Sequence, residues 1–338
     1  MSPKQTGTES SPAETKANSY AYHAKMNGKH CLVTGAAGFV GSHLSRRLLE
    51  LGCRVTGIDC FTDYYDRRLK ENNAASLLEA KGFKLLEADL ADIASSRVKD
   101  VDIVFHQAAQ AGVRASWGKE FSHYTRHNVL ATQRLLEWAR DSKPERFVYA
   151  SSSSVYGHTG KLPMHEDDLP RPLSPYGVTK LAAEHLCNLY YQNFAVPAVS
   201  LRYFTVYGPA QRPDMAFHRF IKAINEDEQI VIYGSGEQTR DFTYIDDIIT
   251  ANLSAALSPN AAGRVYNIGG GSRISVNGVL SILKKLSGKK LSIKYEPVQA
   301  GDPPHTFADT SRAKKEIAFS PAVSLQAGLL KMYASFKP

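Results

Sequence analysis

A short apolar run from Lys29 to Val33 leads into Thr34-Gly35-Ala36-Ala37-Gly38-Phe39-Val40-Gly41 and then an amphipathic stretch from Ser42 to Leu51. Strand, glycine turn and helix in immediate succession leave few folds open. This order is the first unit of a doubly wound α/β sheet that cradles a dinucleotide. In such a unit Gly35 allows the tight turn, Gly38 lets backbone approach a pyrophosphate at the helix N-terminus, and Gly41 permits close helix packing. Phe39 and Val40, between the glycines, join them as candidate cofactor contacts. The spacing is GxxGxxG rather than the commoner GxGxxG, and a glycine triple alone also fits a purely structural turn.

The next segments continue the pattern. A strand from Cys53 to Ile58 ends in Asp59, whose carboxylate would accept hydrogen bonds from the adenosine ribose and repel a 2'-phosphate, favouring NAD over NADP. Capping of the following turn is the alternative role for that aspartate. A third strand, Phe83 to Ala88, ends in Asp89-Leu90, placed to meet the adenine. A fourth, Val101 to Phe105, runs into His106-Gln107-Ala108-Ala109-Gln110, where small residues let backbone lie against a cofactor; His106 reads as structural. Asn128 opens a helix continuing to Arg140, as an N-cap, as a contact to the active-site strand, or both. The fifth strand, Arg146 to Ala150, delivers Ser151-Ser152-Ser153-Ser154-Val155-Tyr156-Gly157 to the carboxyl edge of the sheet, where ligands of open α/β sheets bind.

The candidate chemistry lies just beyond. A phenol ionises near pH ~10 on its own and makes a poor base at neutrality. In Ser174-Pro175-Tyr176-Gly177-Val178-Thr179-Lys180, a helix starting after Pro175 puts Tyr176 and Lys180 on one face, where the ammonium would favour the phenolate. A hydroxyl of the serine run would share the proton. That set could take a proton from an alcohol while an oxidised nicotinamide accepts the hydride. Alone, the same spacing also describes a packed ring and a solvated charge.

Composition excludes several classes. The 338 residues, 43% hydrophobic, suffice for one large domain or two lobes around a cleft. Cys31, Cys53, Cys60 and Cys187 form no CxxC pair, which fits free thiols in a reducing cytosol and implies no metal site. The net charge of +8 is scattered without a basic run, against nucleic-acid binding and compatible with a polyanionic small substrate. No apolar run approaches the roughly 20 residues that span a bilayer, so a soluble, cytoplasmic protein without membrane partners is expected. Residues 1–26, rich in Ser, Thr, Lys, Glu and Pro, read as a disordered tail.

In order, TGAAGFVG, Asp59, HQAAQ, SSSSVYG and YGVTK resemble the extended short-chain dehydrogenase/reductase family over residues 29–338. The resemblance implies a Rossmann-like doubly wound parallel sheet with a smaller α/β substrate lobe, tightly held NAD, nucleotide-sugar substrates and a homodimer. It divides the chain into an NAD-binding part, residues 27–204, and a mainly sugar-nucleotide part, residues 205–338, with segments near 239–268 returning to the first. It implies Ser152 as the catalytic hydroxyl, Tyr176 as acid and base, and Lys180 as its partner. Further cofactor contacts are implied at Ser151, Tyr203 and Val206, and further substrate contacts at Arg114, Gln211 and Met215.

Within the family, the two residues before Val155-Tyr156-Gly157 separate reactions. Sugar 4,6-dehydratases carry Asp-Glu there and UDP-glucuronate decarboxylases a Glu in second place, whereas this chain has Ser153-Ser154. UDP-glucose 4-epimerases have Asn where Thr205 stands. The FTVYGP and RPDMA segments resemble UDP-glucuronate 4-epimerases, which implies NAD-dependent interconversion of UDP-glucuronate and UDP-galacturonate through a 4-keto sugar. Neutral-sugar 4-epimerases and UDP-glucuronate decarboxylases are the nearest rivals. Ser153, Ser154 and Thr205 would offer hydroxyls to the sugar carboxylate, with Arg212 a nearby cation. Tyr233 resembles the uracil-facing edge, Arg240 the diphosphate arginine and Asp302 the ribose contact, while Pro303 and Pro304 stand near where many relatives carry Arg.

Overall fold

The computed structural model describes residues 22–92 and 98–336. Seven parallel strands form the central sheet in the order β11-β6-β5-β4-β1-β2-β3. They are β1 (His30–Thr34), β2 (Arg54–Asp59), β3 (Phe83–Glu87), β4 (Ile103–His106), β5 (Arg146–Ser152), β6 (Ala198–Tyr203) and β11 (Val265–Ile268). Inner strands such as β4 and β5 are buried along their whole length, as a sheet covered on both faces requires. Val33, Val55, Phe105 and Val148 pack towards helices α1 (Phe39–Glu50) and α6 (Ile245–Leu257). The alternate residues Leu32, Val104, Phe147 and Tyr149 meet α3 (Ala131–Ser142) and α4 (Pro175–Phe194) on the other face. Helix α2 (Arg67–Leu78) joins β2 to β3.

Strand order reverses between β1 and β4, so their carboxyl ends diverge and open a crevice. Around its far side stand β7 (Val206–Tyr207), α5 (Ala216–Asn225), β8 (Ile230–Tyr233), β9 (Thr239–Asp241) and β10 (Thr243–Tyr244). They are followed by β12 (Arg273–Ser275), α7 (Val276–Ser287), β13 (Ile293–Glu296), α8 (Ser311–Ile317) and α9 (Leu325–Ala334). Between these, α6 and β11 return to the main sheet, β11 pairing in parallel with β6.

Two expectations change. Residues 22–26 are helical rather than part of a disordered tail: Met26 is fully buried and the Tyr22 hydroxyl lies 2.8 Å from Ser254 Oγ. Tyr22 and Met26 are four apart, enough to give this short turn one apolar face; residues 1–21 lie outside the described residues. Asn128 is not an N-cap, because the helical path begins at Phe121 and passes through a π-helical stretch, Thr125–Leu130, before α3. The Asp247 carboxylate accepts the amides of Ala322 and Val323, tying down the chain before α9.

Candidate active site

Helix α1 begins without a side-chain cap on Gly38, and its first helical bond runs from Ser42 N to Gly38 O at 3.0 Å. The amides of Phe39, Val40 and Gly41 therefore have no acceptor within the helix and form an anion cradle at its positive end. Gly35 has φ +68, and a Cβ there would stand 2.9 Å from the Ala108 backbone; a Cβ on Gly41 would come 2.0 Å from Gly35 O. Both positions therefore require glycine. Beyond the turn lies a cleft of about 440 Å³ lined by Gly35, Asp59, Asp89, Leu90, Ala108, Ala109 and Gln110. Asp59 accepts from the Ala37 and Phe61 amides and pairs with Lys70 Nζ at 2.9 Å, so Lys70 is a cleft residue that sequence reasoning missed. Asp89 accepts from the Ala91 amide and from Arg126 Nε at 2.9 Å. Amide cradle, Cβ-free turn and strand-end carboxylate together fit the pyrophosphate and ribose of a dinucleotide.

Other expected cofactor contacts are engaged within the protein. The Tyr203 hydroxyl donates to Gln107 Oε1 at 3.0 Å and accepts from Asn252 Nδ2 at 2.7 Å, while Gln107 Nε2 donates to Asn252 Oδ1. Ser151, buried, donates its hydroxyl to Glu184 Oε2 at 2.6 Å. Val206 sits in the short β7 ladder. His106 is structural, and the hydrogen bonds fix its tautomer. Thr132 Oγ1 donates to Asn128 O, so His106 Nε2 must be the donor to Thr132; Nδ1 then accepts from Thr34 Oγ1, which accepts the Ala108 amide. Burial and the nearby Lys180 push this imidazole down to about 3.

The Ser–Tyr–Lys set meets where β5 ends. Ser174 caps α4 by accepting the Gly177 amide at 3.1 Å, and Pro175 occupies its first turn. Gly177 lies so close to the serine turn that a Cβ would stand 2.6 Å from Ser154 O. This approach brings the Tyr176 hydroxyl towards Ser152, which favours the phenolate. Tyr124 packs edge-on against the Tyr176 ring at 6.2 Å. Asn128 holds the assembly: its amide bonds Gln110 N, Gln110 O and Thr179 Oγ1 at 2.8, 3.0 and 2.9 Å.

The electrostatics differ from the sequence expectation. Burial raises the Tyr176 hydroxyl above its usual value, opposed by Ser152 and by Arg212 rather than by Lys180. Burial also pushes Lys180 down to about 7, against the pull of Cys187 and Glu184, and its Nζ rests 4.4 Å from the Tyr149 ring centroid. Below about pH 7 both folded and unfolded chains carry this proton, and above the ordinary lysine range neither does. In between, the unfolded chain binds the extra proton, so stability of the cofactor-free protein rises with pH. Lys180→Met is expected to stabilise that form at mildly acidic pH by at most roughly 5 kcal/mol, with the gain vanishing towards pH ~10.5. Urea titrations at several pH values check this; a gain that does not shrink with pH refutes it.

On the substrate side, Ser153 and Ser154 occupy one 3-10 turn and Thr205 links β6 to β7; all three are half-buried. Gln211 is engaged within the protein: it is 3% exposed, its Nε2 donates to Val206 O and its Oε1 accepts the His218 amide. Arg212 forms a two-bond pair with Asp214 and touches Met215 Sδ at 3.5 Å. Arg114 bonds Asp302 at 2.6 Å and stacks 4.3 Å from the Tyr233 ring centroid. Arg219, unnoticed in the sequence, faces the same ring at 5.7 Å; its place one turn after Met215 was the available signal. Arg240 Nη1 donates to the carbonyls of Thr239 and Pro304, so the proline-bearing loop orients an arginine rather than supplying one. Two guanidinium groups over one aromatic ring, with a third near the same carboxylate, suit a nucleoside diphosphate.

A parallel sheet with a glycine turn at its switch point and a Ser–Tyr–Lys set beside it defines a nicotinamide-dependent enzyme that works on alcohols and ketones. The chain belongs to the NAD dependent epimerase/dehydratase family, whose model matches residues 31–269. Among its relatives is an uncharacterized UDP-glucose epimerase, YtcB, of Bacillus subtilis strain 168, 47% identical over 302 residues, covering 88% of this chain and 95% of that one. A UDP-glucuronate 4-epimerase of Thermodesulfobacterium geofontis is 40% identical over 304 residues, covering 88% and 93%. The solved structure of UDP-glucuronic acid 4-epimerase from Bacillus cereus, in complex with UDP-glucuronic acid and NAD, matches with TM-score 0.88 at 47% identity, covering 90% of this chain and 98% of that one.

Proposed function

We propose that the protein is an NAD-dependent UDP-glucuronate 4-epimerase, interconverting UDP-glucuronate and UDP-galacturonate without loss of carbon dioxide. The observation that carries this reading is the neighbouring ends of β5 and β6, after which Ser153, Ser154 and Thr205 stand half-buried and the reaction-setting positions carry no acid. The relatives that act on UDP-glucuronate support it.

Bound NAD supplies a reversible hydride acceptor for a sugar carbon. Phe39, Val40 and Gly41 would hold its pyrophosphate and Asp59 its ribose. Tyr176, beside Ser152, takes the proton of the C4 hydroxyl and later returns it. Lys180 is buried one turn further along α4. Arg114, Arg219 and Arg240 hold the diphosphate end while the sugar turns to present its other face.

A 4-keto uronate is a β-keto acid and loses carbon dioxide when the breaking bond aligns with the carbonyl. Hydroxyls at Ser153, Ser154 and Thr205 hold the carboxylate out of that alignment. Thr205→Ala is therefore expected to raise the share of UDP-pentose several-fold, read by chromatography after incubation with UDP-glucuronate. An unchanged ratio removes Thr205 from this role. The same chromatography tests the reaction itself: wild-type protein should yield UDP-galacturonate from UDP-glucuronate and turn over UDP-glucose far more slowly.

A homodimer belongs to this reading. Val178 and Leu189 lie on the outer side of α4, 48% and 50% exposed, beside Leu130 at 38%, and suit a second copy of the same face. Sedimentation velocity tests it. A cytoplasmic location rests on the four free thiols; among the described residues no helix is long and apolar enough to cross a membrane.

A further inference from the structure

The segment after β7 folds so that Arg212 meets Asp214 two residues on. Nε donates to Oδ1 and Nη2 to Oδ2, both at 2.9 Å, and Nη2 also reaches Met215 Sδ at 3.5 Å. A guanidinium carries five N–H donors in a rigid fork. These bonds use three of them and leave the pair on Nη1. From the opposite side the Tyr64 hydroxyl, on the loop following β2, donates to Asp214 Oδ2 at 3.4 Å. One carboxylate thus stands between the cofactor-side loop and the cation that reaches Tyr176.

We propose that Asp214 is a positioning residue that sets selectivity between acidic and neutral sugars by limiting Arg212 to a single-nitrogen grip on the substrate carboxylate. The proposal rests on the UDP-glucuronate reading and deepens it. A two-bond guanidinium–carboxylate pair is strong and fixes the plane of both partners. An epimerase must let the sugar turn over between its two half-reactions, and a carboxylate locked in plane would hold one face towards the cofactor. With Nε and Nη2 held by Asp214, the remaining nitrogen attracts the uronate charge but leaves the ring free to turn. Asp214 also tempers the positive charge at the base. The groups facing the Tyr176 hydroxyl are Ser152 from β5, Lys180 from its own helix, Tyr149 from the sheet, Tyr124 and Tyr64 from the flanking segments, and Arg212. Of these, Arg212 alone is balanced by Asp214.

The test is steady-state kinetics of the full-length, NAD-loaded protein as wild type, Asp214→Asn and Asp214→Glu, on UDP-glucuronate and UDP-glucose across the neutral pH range. Asp214→Asn should lower KM for UDP-glucuronate by about 3- to 10-fold and lower kcat on the same sugar, leaving KM for UDP-glucose unmoved. The acid limb of its kcat/KM profile should shift down by about half a unit or more. Asp214→Glu, which keeps the charge, should return both readings towards wild type. A change shared equally by the two sugars, or an unmoved acid limb, reduces Asp214 to a loop fastener and overturns the proposal. Asp214→Ala provides the same two readings if the amide disturbs the loop. Wild-type protein that does not convert UDP-glucuronate overturns the substrate reading itself, visible before any variant is compared.

Discussion

Tyr176→Phe is expected to lower kcat on UDP-glucuronate by about a hundred- to ten-thousand-fold while leaving NAD retention and substrate affinity close to wild type. The ring contributes packing that phenylalanine keeps, including the edge contact with Tyr124. Only the hydroxyl is lost, together with its interaction with Ser152. The loss should fall on kcat and kcat/KM alike, because the proton moves in the transition state and not on binding. Stopped assays with separation of the two UDP-uronates measure the rate, and absorbance of released dinucleotide after denaturation measures retention. Unaltered activity would end the enzymatic reading.

Glu184→Ala is expected to destabilise the protein by about 3–5 kcal/mol, although Glu184 touches no ligand. Its carboxylate accepts from Arg202 Nη2 at 2.6 Å and Nε at 3.1 Å and from Ser151 at 2.6 Å. Both charged side chains are only 5% exposed. Removing the acid leaves a guanidinium buried without its counter-charge, directly behind the strand end that presents Ser152. The double variant Glu184→Leu with Arg202→Met should recover most of the loss, since two apolar groups bury more cheaply than one unpaired charge. Urea midpoints of the three proteins decide the matter; a mild single variant would show that water or a shifted side chain reaches Arg202.

Much of the fold could be read from the chain because its signals are local. The glycine turn, the apolar strands and the Ser174-Pro175 helix start each lie within a few residues of what they determine. The serine turn and YGVTK could be joined in advance through the resemblance, because both motifs are short and contiguous. What could not be read depends on partners remote in sequence. Ser151 and Glu184 are 33 residues apart, and Tyr64 and Asp214 are 150 apart. No local pattern says which polar side chain will be engaged inside the protein, so Gln211 and Tyr203 looked available for ligands. The charge reaching Tyr176 was misassigned for a related reason: helical spacing gives proximity along α4 but not burial, which dominates both groups.

The seventh strand has a consequence for any attempt to divide this protein. β11 arrives only after the chain has already built part of the far side of the crevice, yet it covers the edge of β6 and carries Asn267, which accepts from the Tyr156 hydroxyl and donates its amide to Glu166. A fragment stopping at residue 204 would leave β6 with a bare row of hydrogen-bonding groups, an invitation to aggregate. Recombining relatives by swapping everything beyond β6 should therefore fail unless the β11 segment stays with its parent sheet. The two halves of the crevice are woven by one thread, and exchange between relatives is confined to the loops along its rim.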